Sequence, residues 1–298
     1  MNTPAVQVRN LTVNFGSFKA VDNLDLTVEH GSIHGFLGPN GAGKSTTLRT
    51  LIGVLKPRSG SVRILGADPV SNPKILRNVG YVPGDATLWE NLTGTEVLRA
   101  LESVRKTPSN HALEEELIAA FQLDPSKKIR EYSTGNRRKI SLIAAFSHEP
   151  QLLILDEPTA GLDPIMEQVF LEQVRRARTN GAAVLLSSHI LSEVEQLCDY
   201  VTVLKEGTAV ASNEVSYLRR ISAHRITASM TEVPPELENR GEVVFDTGHL
   251  SITCNATAVP DILRIIIDAG GQDITSNTAS LEEIFLRHYG NSSTEAAS

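Results

Sequence analysis

The chain has 298 residues, of which 41% are hydrophobic and 21% charged, and its formal net charge is −7. These values are ordinary for a folded globular protein, and the acidic balance argues against nucleic acid as a partner. No apolar run approaches the roughly 18 residues that a membrane-spanning helix needs, and the N-terminus lacks a signal-peptide pattern. The two cysteines, Cys198 and Cys254, are far apart and are expected to be reduced.

Runs rich in β-branched residues alternate with helical patterns, which predicts an α/β fold with a largely parallel core sheet. The expected strands are "VQVRNLTV", "LDLTVEH", "SIHGFLG", "SVRIL", "LLILD", "AAVLLSS" and "YVTVL". The first strands come close together before any helix, so an antiparallel β subdomain should flank the core. Between about residues 91 and 146 the pattern becomes helical, with amphipathic stretches at 93–106 and 109–122. This region is expected to be a helical subdomain inserted between two core strands.

The character of the sequence changes near residue 220, so the first domain is expected to span 1–220. Residues 221–290 are expected to form a small α+β domain, with strands in "HRITASM", "EVVFD", "LSITC" and "QDITS" around the helix "PDILRIIIDAG". A last helix should begin at a capping box formed by Ser280 and Glu283. The polar tail 291–298 is expected to be disordered.

The stretch "GPNGAGKST" fits the P-loop pattern G-x-x-x-x-G-K-[ST], follows the apolar strand "IHGFL" and opens a helix. Its glycines allow backbone N–H groups to turn towards phosphate oxygens at a helix N-terminus. Lys44 would neutralise the β- and γ-phosphates, and the Ser45 hydroxyl would hold Mg²⁺. The expected nucleotide contacts are Gly38, Pro39, Asn40, Gly41, Ala42, Gly43, Lys44, Ser45 and Thr46. A chance glycine-rich turn is the alternative, which the flanking strand and helix disfavour.

An acidic pair ends the apolar run "LLILDEP". P-loop nucleotidases need a carboxylate at the end of a buried strand to support the metal ion, and Asp156 is suited to that role. Glu157 is the next residue and is suited to act as the general base that polarises the attacking water. An acidic pair after a strand can also be a turn signal, but the P-loop favours the catalytic interpretation.

With the P-loop, the acidic strand and "YSTGN" between them, residues 5–220 resemble the ATP-binding subunit of ATP-binding cassette (ABC) transporters. The resemblance implies that "YSTGN" is the family's signature segment. Through Ser133, Gly135 and a helix N-terminus, this segment would cap the γ-phosphate of ATP bound to a second subunit. A dimer is therefore implied, either of two identical chains or with a related chain. Read alone, "STG" before a helix is an N-cap.

Three further residues take roles from the same resemblance. Asp163 in "TAGLD" corresponds to the D-loop beside the dimer interface. His189 corresponds to the switch histidine that contacts the γ-phosphate, whereas a lone histidine after a strand is usually a surface residue. Phe15 corresponds to the aromatic residue that stacks on adenine, with a position in the core as the alternative.

The sequence departs from the family pattern at two places. Thr134 and Asn136 replace a glycine and the terminal glutamine of the signature segment. In the Q-loop segment "YVPGDATLWENLTG", Gly84 stands where the family usually has glutamine. We consider Asp85 as a substitute ligand for Mg²⁺, since Gly84 would let the backbone bend towards the metal. The alternative is that "PGD" is a turn with a solvated Asp85.

One cassette per chain, the form of the signature segment and the ending "SLEEIFLRHYG" resemble the ATPases of ABC-2-type exporters. The resemblance implies an ATPase, with ATP and Mg²⁺ as cofactors, that powers drug or antibiotic efflux. It would lie at the cytoplasmic face of the membrane, bound to separate permease subunits. The permease should dock near Trp89 and Leu92, although a core position for Trp89 is equally compatible with the sequence. An importer ATPase, a sodium or lipid exporter, and a non-transport ABC ATPase remain alternatives.

Overall fold

The structure is a computed structural model that describes residues 3–85, 87–217, 224–238, 240–255 and 257–278. The chain divides into two compact units, Met1–Ser212 and Asn213–Ser298. The predicted domain boundary at residue 220, the predicted helix from Ser280 and the tail 291–298 lie outside the described residues. Within the described ranges, no helix is both long and apolar enough to cross a bilayer.

An antiparallel sheet in the first unit contains β1 (Val6–Phe15), β2 (Phe18–Val28) and β4 (Ser59–Ile64), in the order β2-β1-β4. Alternate residues of β2 near its end, such as Leu24, Leu26 and Val28, are buried. This two-residue period is the pattern of a sheet with one face on the core. The antiparallel subdomain expected from the sequence is confirmed.

Among the described residues, the core sheet has six strands in the order β5-β6-β7-β3-β8-β9. They are β3 (Ile33–Leu37), β5 (Val79–Val82), β6 (Leu152–Asp156), β7 (Ala183–Ser188), β8 (Tyr200–Lys205) and β9 (Thr208–Glu214). Four neighbouring pairs are parallel: β5 with β6, β6 with β7, β7 with β3, and β3 with β8. Every residue of β3, β6 and β7 is buried, as expected for parallel strands covered on both faces. The carboxyl ends of β3, β6 and β7 therefore meet at one edge of the sheet.

Helices α1 (Lys44–Leu51), α5 (Pro164–Thr179) and α6 (Leu191–Leu197) follow β3, β6 and β7. The helical subdomain between β5 and β6 contains α2 (Gly94–Arg105), α3 (His111–Ala120) and α4 (Thr134–Phe146). A capping box between Thr93 and Glu96 fixes the start of α2, and Lys106 ends it in a left-handed conformation. The helical insertion and its first two helices are where the sequence predicted them.

The second unit contains β10 (His224–Ser229), β11 (Glu242–Asp246), β12 (His249–Cys254), α7 (Val259–Asp268) and β13 (Gln272–Thr278). Its strands form an antiparallel sheet in the order β11-β12-β10-β13. Ile262 and Ile266 of α7 form an apolar core with Ile226 and Ile252 of the sheet. The four strands and the helix expected in this region are present. Cys198 in the first unit and Cys254 here are both buried and free.

Gly80 of β5 allows α4 to lie unusually close to the core sheet. A Cβ added at this position would lie 2.5 Å from the carbonyl oxygen of Ala145 in α4 and 2.7 Å from Leu153 Cδ2. Both distances are below normal van der Waals contact, and a backbone carbonyl of a helix cannot move aside alone. The glycine therefore sets the spacing between the sheet and α4, which carries the signature residues at its N-terminus.

We expect Gly80→Ala to destabilise the first unit by about 1–3 kcal/mol, because the added methyl group overpacks the contact between β5 and α4. The measurement is urea unfolding followed by the fluorescence of Trp89, the single tryptophan of the chain. Val70→Ala, at an exposed position, is the control and should change the free energy of unfolding by less than about 0.5 kcal/mol. Equal stability of Gly80→Ala and the unmodified chain would contradict this role of Gly80.

Candidate functional site

The P-loop, residues 38–46, connects the end of β3 to the start of α1. Gly43 is the N-cap of α1 and has φ of 103°, a left-handed conformation that favours glycine. A Cβ at Gly43 would lie 2.4 Å from the carbonyl oxygen of Ala20, so this position also needs the absence of a side chain. The loop thus directs the N-terminal N–H groups of α1 to one point, which is how such loops bind phosphate. Pro39, Asn40 and Gly41 are exposed, whereas Ser45 and Thr46 are half-buried.

The Lys44 ammonium is buried and lies over this loop. Its Nζ donates hydrogen bonds to the carbonyl oxygens of Gly38, at 2.6 Å, and Pro39, at 3.2 Å. It also lies 3.6 Å from Oε1 of Glu157. Because carbonyl oxygens hold the ammonium in place, its charge is directed at the loop without being fully neutralised by a carboxylate.

Asp156 ends β6 with its carboxylate buried, 1% exposed. Oδ1 accepts a hydrogen bond of 2.6 Å from the Ser187 hydroxyl, whereas Oδ2 is buried and has no hydrogen-bond partner within the described structure. A buried, unpaired carboxylate oxygen is costly, and a hard divalent cation is a suitable partner for it. The Asp156 carboxylate and the Ser45 hydroxyl are oxygen donors of the kind that Mg²⁺ takes, and Lys44 offers a positive charge to phosphate.

Glu157 follows Asp156 in a left-handed conformation with φ of 46°. Its N–H donates to the hydroxyl of Ser187 at 3.0 Å, so one serine positions both acidic residues. The Glu157 carboxylate oxygen Oε1 lies 3.4 Å from Nδ1 of His189 and 3.6 Å from Lys44 Nζ. The Glu157 carboxylate, the expected base, is therefore in contact with both Lys44 of the P-loop and His189.

Position 84 faces the unpaired oxygen of Asp156. A Cβ added at Gly84 would lie 3.1 Å from Oδ2 and 3.3 Å from Cγ. The side-chain direction at position 84 therefore points at the candidate metal ligand. Asp85 is exposed, and its main-chain carbonyl accepts a hydrogen bond from Thr87 N–H, which forms a turn.

The signature residues lie at the N-terminus of α4. Ser133 is the N-cap, and its hydroxyl accepts a hydrogen bond from the N–H of Asn136. Gly135 packs against Gly161, because a Cβ at Gly135 would lie 2.4 Å from the Gly161 carbonyl oxygen. Asp163 caps α5 by accepting hydrogen bonds from Ile165 and Met166 N–H groups.

Phe15 is 52% exposed at the end of β1, so the alternative that it belongs to the core is wrong. In the described part of the chain, the hydrogen bonds and ion pairs of Lys44, Asp156, Glu157 and His189 do not include Phe15, Ser133 or Asp163. Among the predicted site residues, Glu157 therefore contacts Lys44 and His189 directly and is linked to Asp156 through Ser187.

Two residues of this region were missed by sequence reasoning. Ser187 pairs in register with Asp156 across the β6–β7 ladder, which a parallel alignment of "LLILD" with "AVLLSS" could have indicated. Arg138 is 3% exposed, and burial lowers the pKa of its guanidinium, opposed by the charges of Asp156, Glu157 and Asp85. In "NRRK" nothing distinguishes Arg138 from Arg137 and Lys139, so the sequence carried no signal for it.

Comparisons with known proteins agree with this geometry. A family profile described as "ABC transporter" matches residues 21–160. The bacitracin transport ATP-binding protein of Bacillus licheniformis is 32% identical over 96% of this chain and 97% of its own length. The chain belongs to the ATP-binding subunits of ABC transporters.

The daunorubicin/doxorubicin resistance ATP-binding protein of Streptomyces peucetius is another ABC relative, 38% identical over 73% of this chain and 67% of its own length. A solved structure of the ATP-binding subunit of an ABC transporter superposes with a TM-score of 0.69 at 31% identity. The superposition covers 73% of this chain and 92% of the solved chain. The ABC cassette fold and an ATP-hydrolysing activity in transport follow from these matches.

If Glu157 is the general base, Glu157→Gln should bind ATP but hydrolyse it roughly 10²-fold more slowly or worse, the usual scale for losing a positioned base. Because hydrolysis would no longer release the nucleotide, the variant should accumulate as an ATP-bound dimer in gel filtration. Glu172→Gln, at an exposed position of α5, is the control and should hydrolyse ATP normally. Hydrolysis by Glu157→Gln at the normal rate would remove Glu157 from the mechanism.

Proposed function

We propose that this chain is the ATPase subunit of an exporter of antibiotic-class compounds and acts at the cytoplasmic face of the membrane. The contact of Glu157 with both Lys44 and His189 carries the catalytic part of this proposal, since it puts a carboxylate base beside the phosphate loop. The direction and substrate class are supported by the names of the bacitracin and daunorubicin/doxorubicin relatives. The second domain, residues 221–290, is assigned no separate activity.

In this proposal each residue of the cluster has a defined task. The P-loop N–H groups and Lys44 bind the phosphates of ATP, and Glu157 accepts a proton from the attacking water while His189 orients the γ-phosphate. Ser45 and Asp156 would hold Mg²⁺, which supplies charge compensation for the β- and γ-phosphates. Ser187 keeps Asp156 and Glu157 in register through its two hydrogen bonds.

A second cassette completes the site. Ser133 and Gly135 lie at a helix N-terminus, and in the described residues neither makes a hydrogen bond to the Glu157 cluster, so we infer that they cap ATP bound to a second copy or a related chain. The Ser133 hydroxyl accepts from Asn136 N–H and retains its own hydrogen for a phosphate oxygen. Exposed Phe15 is available to stack on adenine, and Asp163 would lie beside the interface.

A groove of about 670 Å³ supports docking of a separate transmembrane permease. One side is formed by the turn after β5, including Pro83, Thr87 and Leu88, and the other by Leu101 and Val104 of α2. Val104 is exposed, and Trp89, next to the lining residue Leu88, is 51% exposed. An exposed aromatic residue beside an apolar groove is a typical anchor for a partner helix.

The transport proposal is tested with the permease that copurifies with the chain, reconstituted in inside-out vesicles. ATP should drive accumulation of bacitracin or daunorubicin inside the vesicles, and Glu157→Gln should abolish it. ATP-driven movement of substrate out of the vesicles, dependent on a solute-binding protein enclosed in them, would indicate an importer. ATP hydrolysis without substrate movement in either direction, by a chain that copurifies with no permease, would favour a non-transport ABC ATPase.

Complementation tests the composite site. Lys44→Ala and Ser133→Arg damage opposite sides of one ATP site, so each variant alone should be inactive as a homodimer. A mixed dimer would carry both lesions at one site and neither at the other. Mixing should therefore restore part of the ATPase activity. If the subunits exchange but ATPase activity does not recover, either Ser133 does not act on the ATP of the second subunit or both sites must be intact for hydrolysis.

Trp89→Ala should weaken assembly with the permease while the isolated subunit stays folded, because the removed side chain is half exposed. The measurement is the amount of permease that copurifies, together with the thermal midpoint of the isolated subunit. Phe18→Ala, another exposed aromatic position outside the groove, is the control and should assemble normally. Normal assembly of Trp89→Ala would show that this tryptophan is not the anchor.

A further inference from the structure

Arg138 of α4 connects the signature helix to the turn that follows β5. Its Nη1 donates a hydrogen bond to the carbonyl oxygen of Pro83, and its Nη2 donates to that of Gly84 at 2.5 Å. The side chain is 3% exposed and its Nε is buried without a hydrogen-bond partner within the described structure. A planar guanidinium holds two carbonyl groups from two separate nitrogen atoms in a rigid fork, whereas an ammonium group has one nitrogen atom and reaches two carbonyls only where they converge on it, as at Lys44.

Burying this charge is expensive, because its two hydrogen bonds go to neutral carbonyl groups. The charges of Asp156, Glu157 and Asp85 offset part of the cost through space. A neutral apolar residue at this position would avoid the cost, so stability alone does not account for a buried arginine here.

The clamped turn is the one that lies against the candidate metal ligand. Gly84 is so close to Asp156 that an added Cβ would approach Oδ2 to 3.1 Å. Ser187 fixes the other oxygen of the same carboxylate. The Asp156 carboxylate is thus fixed at Oδ1 by the Ser187 hydroxyl, and the space beside Oδ2 is bordered by the turn at Gly84, whose carbonyl Arg138 holds.

We propose that Arg138 is a positioning residue for the metal site: by clamping the Pro83 and Gly84 carbonyls, it keeps the turn against Asp156 and Oδ2 oriented for Mg²⁺. This inference rests on the proposed role of Asp156 as a metal ligand. It also gives a role to the glycine at position 84, because any side chain there would occupy the space beside Oδ2.

The test is the affinity for Mn²⁺, used as a probe for Mg²⁺, in the presence of ADP, measured from the electron paramagnetic resonance signal of free Mn²⁺. Arg138→Lys keeps the charge but loses the two-carbonyl clamp, and it should weaken Mn²⁺ binding by about tenfold or more, as changes to partners of metal ligands do. Nucleotide affinity measured in EDTA should stay unchanged, which separates metal positioning from a general loss of structure.

Gly84→Ala is the second variant and leaves Arg138 intact. Its Cβ would crowd Oδ2, so it should also weaken Mn²⁺ binding with no change of nucleotide affinity in EDTA. This variant keeps the inference testable if Arg138→Lys does not fold. Arg130→Gln, which removes an exposed positive charge from the same subdomain, is the control and should bind Mn²⁺ normally.

Asp156→Asn separates the inference from the site on which it rests. Loss of Mn²⁺ binding in Asp156→Asn with normal binding in Arg138→Lys or Gly84→Ala would overturn the clamp and leave the metal site standing. Normal binding in Asp156→Asn would overturn both. If Asp85→Ala bound Mn²⁺ more weakly and Arg138→Lys bound it with unchanged affinity, the clamp would be overturned and the role would pass to the Asp85 carboxylate.

Discussion

The buried carboxylate of Asp156 is the constraint on which the site depends. One oxygen is paired with Ser187, and leaving the other unpaired costs about 1–3 kcal/mol or more for a charged group. Strand β6 has no exposed residue, so the chain cannot relieve this cost by turning the side chain to solvent. The neighbouring features follow from it: Ser187 positions Glu157 as well, and Gly84 has no side chain that could fill the adjacent space.

The parts of the fold that short sequence patterns specify were predictable from the sequence. Long apolar runs predicted β3, β6 and β7, and the caps Thr93 and Asn110 mark helices of the predicted subdomain. Strands β5 and β9 were missed. Strand β5 has only four residues, "VGYV", with a glycine whose function is the close approach of α4, and this cannot be read without the tertiary packing. Strand β9, "TAVASNE", is mostly exposed and lacks an apolar run.

The candidate site also contains residues with a local sequence signal and residues whose position depends on tertiary contacts. The P-loop and the acidic pair are each contiguous in sequence and each follow an apolar strand, so their positions at the ends of β3 and β6 were predictable from the residues alone. Ser187 depends on the register of two strands, and Arg138 on a side chain that reaches 54 residues back along the chain. The two interpretations of Ser133 proved compatible: its hydroxyl accepts from Asn136 as an N-cap, and the same hydroxyl still has a hydrogen to donate.

The choice of hydrogen-bond partners for Arg138 has an electrostatic consequence. If its guanidinium formed a direct ion pair with Asp156, it would occupy the oxygen that a metal ion needs, and the two cations would compete. Two carbonyl groups hold it instead, so Oδ2 stays free of a hydrogen bond within the described residues. Since Arg138 lies one turn after Gly135 on α4, it attaches the helix that begins after Ser133 to the turn at Pro83 and Gly84 of its own chain. A shift of that helix would therefore move the Gly84 backbone, which borders the space beside Oδ2 of Asp156.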